Sequence, residues 1–319
     1  QWPFDSRKIE GGSSIVDILV YIESVLRGRR VFLDFRTNPE GYRAEDLSAE
    51  ALDYLQRSEA LLETPIARLQ KMNPGAVTLY AEHGIDITTQ PLEIAVCAQH
   101  NNGGLAGNHW WESVNIRHLF PVGEVNGSHG VYRPGGSALN AGQVGALRAA
   151  EFIANRYAGW TLNLEKAQAT ASEALAGLLD WSRRCASAPT TWRAERTAFQ
   201  ERMSRAGAHI RSRATIGRAV QEAWEQVRRL ESDGCSYEEP AGLVEALRNR
   251  QLCFAHAVYL SAIQFAIESG VGSRGSAMVL DRDGVPAHPR LGPEWNFLRE
   301  DPAFRDRVLE SMAAPDGTV

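Results

Sequence analysis

Arg117-His-Leu-Phe-Pro-Val-Gly123-Glu124-Val-Asn-Gly-Ser-His129-Gly-Val-Tyr-Arg133-Pro-Gly135-Gly136-Ser137-Ala138-Leu139-Asn-Ala-Gly-Gln143 is the stretch on which the reading of this chain turns. Leu119-Phe120-Pro121-Val122 reads as an apolar strand ending at Gly123, and the carboxylate of Glu124 follows at once. A loop then delivers a glycine pair into a helix that starts near Ser137 and is crowded with Ala and Gly to about residue 157. The first turn of a helix leaves about four backbone N–H groups unpaired and carries partial positive charge. Such an end can face an electron-rich ring edge and stabilise negative charge developing there. Arg133, just ahead of it, has the planar fork that grips a carboxylate bidentately. A tight turn rich in glycine is the other reading, and physics alone weighs the two evenly.

Working outward, residues 13–27 are predicted to be a helix, with Ser14 and Asp17 as a capping box and Gly28 as its stop. Strands are expected at 31–35 and around 92–96, a turn at 39–41, and helix over 47–72 with a break near Pro65. Residues 98–136 crowd glycine, histidine and Trp110-Trp111 into one loop-rich region, the kind of segment that carries function. Beyond it the chain reads as helices over 165–184, 191–206, 210–231 and 241–268, with Pro189 as a break. Ile216, Val220, Trp224, Val227 and Leu230 form an amphipathic stripe. Leu252 to Ile267 is nearly apolar all round, which predicts burial on most faces. An irregular tail over 269–293 and a short helix at 302–312 complete the expectation. The fold class is α+β, mainly α.

Several function classes fall away. With 44% apolar and 23% charged residues in 319, the composition is that of an ordinary globular protein, not a disordered tail or a small disulfide scaffold. A net charge of −5 gives no field to gather nucleic acid or an anionic membrane, and no apolar run is long enough to span a bilayer. Cys97, Cys185, Cys235 and Cys253 are scattered, so free thiols in a reducing, cytoplasmic setting are expected, with no metal site. His100, His109, His118 and His129 match no common metal-ligand spacing. Thirteen arginines and nine acids interleave between residues 183 and 250, which reads as solvated helix faces. Gly270-Val-Gly272-Ser-Arg-Gly275 satisfies the letters of a dinucleotide fingerprint. It follows a long helix instead of a strand, so a glycine-rich loop is the better account. The chain opens at Gln1 on Trp2-Pro3-Phe4-Asp5, which reads as a processed chain or a piece of a longer one.

Phe120 to Leu139 resembles the C-terminal FAD-binding segment of the succinate dehydrogenase/fumarate reductase flavoprotein family, in Gly123-Glu124, His129-Gly130 and Arg133-x-Gly135-Gly136. Gln99-His-Asn-Asn-Gly103-Gly104 is similar to the family's HYxMGG element, and Val31-Phe-Leu-Asp34 to its VYLDL. The resemblance implies the end of a capping domain (1–90), the C-terminal segment of an FAD-binding domain (91–160) and a helical C-terminal domain (161–319). It implies FAD as cofactor, held by Gly103, Gly104, Gly123, Glu124, Gly135, Gly136, Ser137, Ala138 and Leu139, with Glu124 on its hydroxyls. Arg133 would anchor an anionic substrate beside Gln99 and His129, and His100 would be the nearest acid. The implied partners are an N-terminal FAD-binding half, on the same or a separate polypeptide, and an electron-transfer protein. Three departures stand out. The family's N-terminal Rossmann half is missing from these 319 residues. Leu19 falls where the family's proton-donating arginine belongs, and Gln99 where its substrate histidine does. These leave a second expectation, a non-catalytic helical scaffold or assembly subunit that no longer binds flavin.

Overall fold

Local capping chemistry explains most of the first hundred residues. A computed structural model describes residues 4–97, 102–130 and 132–312, and these divide into two compact units. One is Val16–Val96; the other is Gln1–Ile15 with Cys97–Val319. Helix α1 (Ser14–Tyr21) continues as a π-helical turn (Ile22–Leu26), and Gly28 ends it at φ +62°. The Ser14 hydroxyl ties the helix start to Asp5, accepting from its N–H and donating to its carbonyl at 2.9 Å each.

In the smaller unit, β1 (Val31–Leu33) is shorter than the run 31–35 suggests. Ser48 caps α2 (Ala49–Arg57), and Thr64 caps α3 (Pro65–Met72). Pro65 sits at the first turn of α3, where its missing N–H costs nothing, so it begins a helix as much as it breaks one. Asn73-Pro74 repeats the device for α4 (Pro74–Glu82), a helix the sequence pattern left unread. Strand β2 (Leu92–Ile94) pairs antiparallel with β1, Phe32 opposite Glu93, and a bidentate Arg30–Glu93 ion pair at 2.7–3.0 Å closes the edge.

The larger unit carries α5 (Ser137–Arg156), α6 (Leu164–Cys185), α7 (Trp192–Ala206), β3 (Ile210–Ser212), α8 (Arg213–Ser232) and α9 (Pro240–Glu268). Its core is built from Trp181, Phe199, Ile216, Val227, Leu230 and Leu260, with alanines at 219, 223, 246 and 257 letting α8 and α9 approach closely. The stripe on α8 faces this core as its spacing predicts. In contrast, α9 keeps Leu252, Phe254 and Phe265 exposed, so its all-round apolar run is buried on one side only. The tail is also more ordered than expected. Strand β4 (Met278–Pro286) pairs parallel with β3 and antiparallel with β5 (Asn296–Phe297), and among the described residues the expected helix at 302–312 is only a 3-10 turn at Pro302–Phe304.

Gly270-Val-Gly272-Ser-Arg-Gly275 joins α9 to β4. The Gly270 N–H bonds the Ile267 carbonyl and the Val271 N–H bonds Ala266, a Schellman end to the helix with Gly270 at φ +83°. A methyl group on Gly272 would overlap the Arg299 carbonyl. These glycines serve a helix stop and a close chain crossing, as the loop reading expected.

A buried polar network crosses the helical core. Gln226 donates to Glu195 at 2.6 Å, Arg229 pairs with Glu195 at 2.8 Å, and Arg202 donates to Gln226 at 2.8 Å and to His256 Nε2 at 3.3 Å. Arg183, Arg196, Arg205, Arg248 and Arg250 pair with acids, as in Arg250–Glu231 at 2.6 Å, whereas Arg211, half-buried, donates to the Gly207 and Ala208 carbonyls. Burial, reinforced by the Arg202 charge, lowers His256 to about 4 from 6.5. The ring is neutral in both folded and unfolded chains above pH 6.5. Below it the unfolded chain takes the proton first, so stability is lost as pH falls from 6.5 through about 4. The loss should reach on the order of 2–3 kcal/mol after allowance for screening. His256→Gln keeps an acceptor for Arg202 but does not titrate. Urea unfolding between pH 7 and 4.5 should show the wild-type curve falling more steeply than the variant's.

Candidate functional site

Two loops packed backbone to backbone form the floor of the site. The Leu105 N–H bonds the Val125 carbonyl at 2.8 Å, and the Gly127 N–H returns to the Leu105 carbonyl at 3.0 Å, an isolated parallel bridge between Leu105 and Asn126. The chains lie so close that a Cβ on Gly104 would overlap the Val125 carbonyl. Asn126 is buried between them, its amide oxygen accepting from Ser128 N–H at 3.0 Å. The expected strand at 119–122 does not form a ladder; the Leu119 carbonyl takes one bond, from Ser113 N–H at 2.8 Å. A strand without a neighbour alongside has nothing to hold it in a sheet, and among the described residues none lies there.

The turn from this floor into α5 behaves as its residues dictate. Gly136 takes the left-handed conformation, φ +76°, as the N-cap residue, and no side chain caps the helix. Ser137 turns its hydroxyl back to the Pro134 carbonyl at 2.7 Å. The first turn holds no acid, and Leu139 is 78% exposed. Space beyond Gly135 and Gly136 is open, with no atom within 4 Å of a methyl built on either. The helix leans on the floor through small residues: a Cβ on Gly142 would stand 3.3 Å from Gly123 Cα, and the Trp111 indole lies flush against Gly145.

Arg133 is 19% exposed and anchored on three sides. It donates to the Asn102 side chain at 2.8 Å and to the Gly130 carbonyl at 2.9 Å, and faces Glu124 at 3.5 Å. The sequence assigns Glu124 and Arg133 separate ligands; the fold makes them partners. His129 Nε2 is buried and makes no hydrogen bond. Gly103, at φ +115°, lies against the Tyr259 ring of α9, about 3.5 Å from where its Cβ would stand. The structure therefore gathers Gly103, Gly104, Gly123, Glu124, Arg133, Gly135, Gly136, Ser137, Ala138 and Leu139 into one loop cluster at the start of α5. Gln99 and His100 lie outside the described residues.

Asn102, Tyr259 and Glu112 carry no mark in the sequence. Glu112 is buried; it accepts from the Tyr157 hydroxyl and from His118 N–H at 2.9 Å. The Tyr157 hydrogen bond holds its carboxyl below the usual range, and the same bond raises the phenol. Trp111 and His118, on either side, take positive φ of 63° and 66°, and the His118 ring packs at a tilt against Tyr157 and Trp160, centroids 4.2 and 4.8 Å away. No signal in the spacing marks this cluster, because its partners are 45 residues apart. Among the described residues no group of His, Cys, Asp and Glu could hold a metal ion, and all four cysteines are free.

Compared with known proteins, the chain is 41% identical over 71 residues to one subunit of the fumarate reductase (CoM/CoB) of Methanothermobacter marburgensis, covering 22% of this chain and 13% of that protein. It is 46% identical over 77 residues, 14% of the relative's length, to an uncharacterized FAD-dependent oxidoreductase of Methanocaldococcus jannaschii. The chain is a distant homologue of the fumarate reductase/succinate dehydrogenase flavoproteins. Its fold agrees. The E. coli quinol fumarate reductase FrdA chain, in a mutant form, superposes with a TM-score of 0.56 at 20% identity, covering 81% of this chain and 50% of that one. A quinol-fumarate reductase with menaquinol molecules gives 0.58 at 18% identity, covering 82% and 42%. The chain thus spans about half of these solved chains or less. No family model matches it.

The close crossing at Gly104 is testable. Gly104→Ala should destabilise the 103–127 floor by about 2–4 kcal/mol, since backbone rather than a side-chain tip must move. Gly135→Ala, facing open space, should change stability by under about 1 kcal/mol. Thermal unfolding of both variants, with hydrogen exchange over 103–127, separates them.

Proposed function

We propose that this chain is the C-terminal portion of an FAD-dependent oxidoreductase that acts on an anionic substrate. The observation that carries this reading is the uncapped N-terminus of α5, opening behind Gly135-Gly136 with Arg133 immediately ahead of it. Its open space and first turn without a side-chain cap suit the edge of a flavin ring, and the stretches matched to flavoprotein relatives support the same cofactor. Ala138 and Leu139 would offer their N–H groups to the ring, and Ser137 would do so by exchanging the bond its N–H makes to the Pro134 carbonyl at 3.2 Å, with Gly103, Gly104 and Gly123 keeping the floor low enough for the ring to lie close. Glu124 would accept from the ribityl or ribose hydroxyls, exchanging its contact with Arg133 for them. When bound, the flavin supplies the hydride chemistry.

Arg133 would then be free of Glu124 to take a substrate carboxylate, with Asn102 and the Gly130 carbonyl fixing the remaining guanidinium hydrogens. His129, whose buried Nε2 has no hydrogen-bond partner among the described residues, would be a second contact, and the family resemblance would put Gln99 or His100 on the substrate side. Leu19 offers no proton, so His100 is the nearest candidate acid. In this reading residues 1–90 are the remainder of a capping domain, 91–160 the end of the flavin domain and 161–319 the helical domain. The compact unit Val16–Val96 overlaps the first of these, while Gln1–Ile15 belong to the other unit. An N-terminal half would supply most of the phosphate contacts, and an electron-transfer protein would serve the flavin. The four free thiols favour a cytoplasmic setting. Among the described residues no helix is long and apolar enough to cross a membrane.

The 319-residue chain alone should bind FAD weakly, because a helix N-terminus without a dinucleotide cradle holds only one edge of the ligand. Calorimetric titration should give no submicromolar site. Supplying an N-terminal half that contains a GxGxxG fold should restore a yellow complex absorbing near 450 nm (an approximate flavin maximum). A chain that binds no flavin even then would favour the scaffold reading. In the flavin-loaded complex Arg133→Ala should lower kcat/KM for an anionic substrate by more than about tenfold, the loss of one charge-assisted contact. Fumarate should be a poor substrate, since no arginine stands at Leu19. Turnover of fumarate at an ordinary fumarate reductase rate would refute that part.

A further inference from the structure

Arg133 is preceded by Tyr132, whose side chain leaves the loop cluster altogether. The Tyr132 hydroxyl accepts a hydrogen bond from the Gly275 N–H at 3.1 Å. Gly275 is the last glycine of the turn that mimics a dinucleotide fingerprint, and stands at φ +58°. Its carbonyl accepts in turn from the Ser6 N–H at 2.8 Å. Over the Tyr132 ring lies the Arg7 guanidinium, 3.9 Å from the centroid, within cation–π range. Arg7 is itself oriented by a bidentate pair with Asp5, at 2.7 and 3.1 Å, and the Asp5 backbone is tied to the Ser14 hydroxyl. Three segments far apart in sequence, 5–7, 132 and 275, therefore meet on one phenol.

We infer that Tyr132 is a positioning residue for Arg133, clamped by the Gly270–Gly275 turn below and by Arg7 above, and that this clamp sets the affinity of the Arg133 site for carboxylate ligands. The Arg133 side chain has restraints of its own, from Asn102, Gly130 and Glu124. Of these, Glu124 must let go when an external anion binds. What then holds the guanidinium in place is the backbone at 132–133, and Tyr132 is the side chain that ties that backbone to a rigid turn. The Schellman end of α9 and the crossing at Gly272 make the turn rigid, so the glycines of the motif act on the site mechanically and not by cradling phosphate. This rests on Arg133 being an anion site, and the test separates the two ideas.

Wild type, Tyr132→Phe and Tyr132→Leu versions of the 319-residue chain are titrated with malonate as a dicarboxylate probe. Affinity is read from the Arg133 Nε–Hε NMR signal, with thermal midpoints measured alongside. Tyr132→Phe keeps the ring under Arg7 and loses only the Gly275 bond. It should bind malonate about fivefold more weakly, the worth of one hydrogen bond, with its midpoint within about 2 °C of wild type. Tyr132→Leu should bind more weakly still. The Arg133 signal should move in both variants before any malonate is added. A wild-type chain whose malonate affinity is unchanged by Tyr132→Phe overturns the clamp, whatever happens to the midpoint. If wild type does not bind malonate at all, the anion reading of Arg133 fails. The free-state Arg133 signal then decides alone: a shift in Tyr132→Phe upholds the clamp, and no shift overturns it.

Discussion

The contact on which the site depends is the approach of two main chains, 104–107 over 123–127. Each bond in that crossing is an ordinary backbone hydrogen bond, but the separation is set by what is missing: side chains at 104 and 127. Because the floor is this thin, Gly142 of α5 can rest on Gly123, and the helix enters at an angle that leaves its first turn uncapped and open. Arg133 then occupies the short span between floor and helix. A single Cβ in the floor would lift the whole arrangement, so the polar residues matter here only after the glycines have placed them.

A second constraint is that the site is not self-contained. Gly103 abuts Tyr259 of α9, and Tyr132 is held by the turn that ends α9. The helical core thus reaches the loop cluster at two points. That core is rigid for reasons of its own: close alanine-mediated packing of α8 on α9, and a buried network in which Glu195, Gln226, Arg202 and neutral His256 satisfy one another. Replacing any member would strand a buried polar partner, which costs more than the bond itself contributes. Rigidity obtained in this way is useful to loops that must hold a geometry without a sheet behind them.

The fold is legible in the sequence where a pattern is local. The 3.6-residue stripe from Ile216 to Leu230 marks α8, and the small-residue run after Gly136 marks α5 and the open helix end. The letters of Gly270–Gly275 mislead no one who asks for a strand before a phosphate cradle, because a helix stands there instead. Strand β4 is hidden, since Asp281-Arg-Asp-Gly284 reads as a turn; only its pairing with Ile210–Ser212, about seventy residues away, makes it a strand. The all-round apolar character of Leu252–Ile267 promises more burial than it delivers, for apolar composition says that a face can be buried and not that something buries it. Asn102, Glu112 and Tyr132 are invisible in the sequence because their partners lie 31, 45 and 143 residues distant.

The exposed side of α5 bears on how these pieces fit together. From Ser137 to Ala150 the helix carries one charge, Arg148, and that side chain lies over Trp110 and bonds the His109 carbonyl. The face left outward presents Leu139, Val144 and Leu147. A helix apolar on its outward face is one whose sequence is suited to burial on that side as well. The solved relatives in fold are about twice as long as the part this chain matches, so they contain additional structure of comparable size. An apolar α5 face, the 119–122 segment outside any ladder and an uncapped helix end all lie in one region, and among the described residues all three lack the same thing, a neighbour. One sheet laid along 119–122 would cover the first two, and a cofactor held by that sheet would meet the third. The economy of that arrangement is the strongest physical support for reading the chain as half of a flavin site instead of a helical scaffold that happens to contain one.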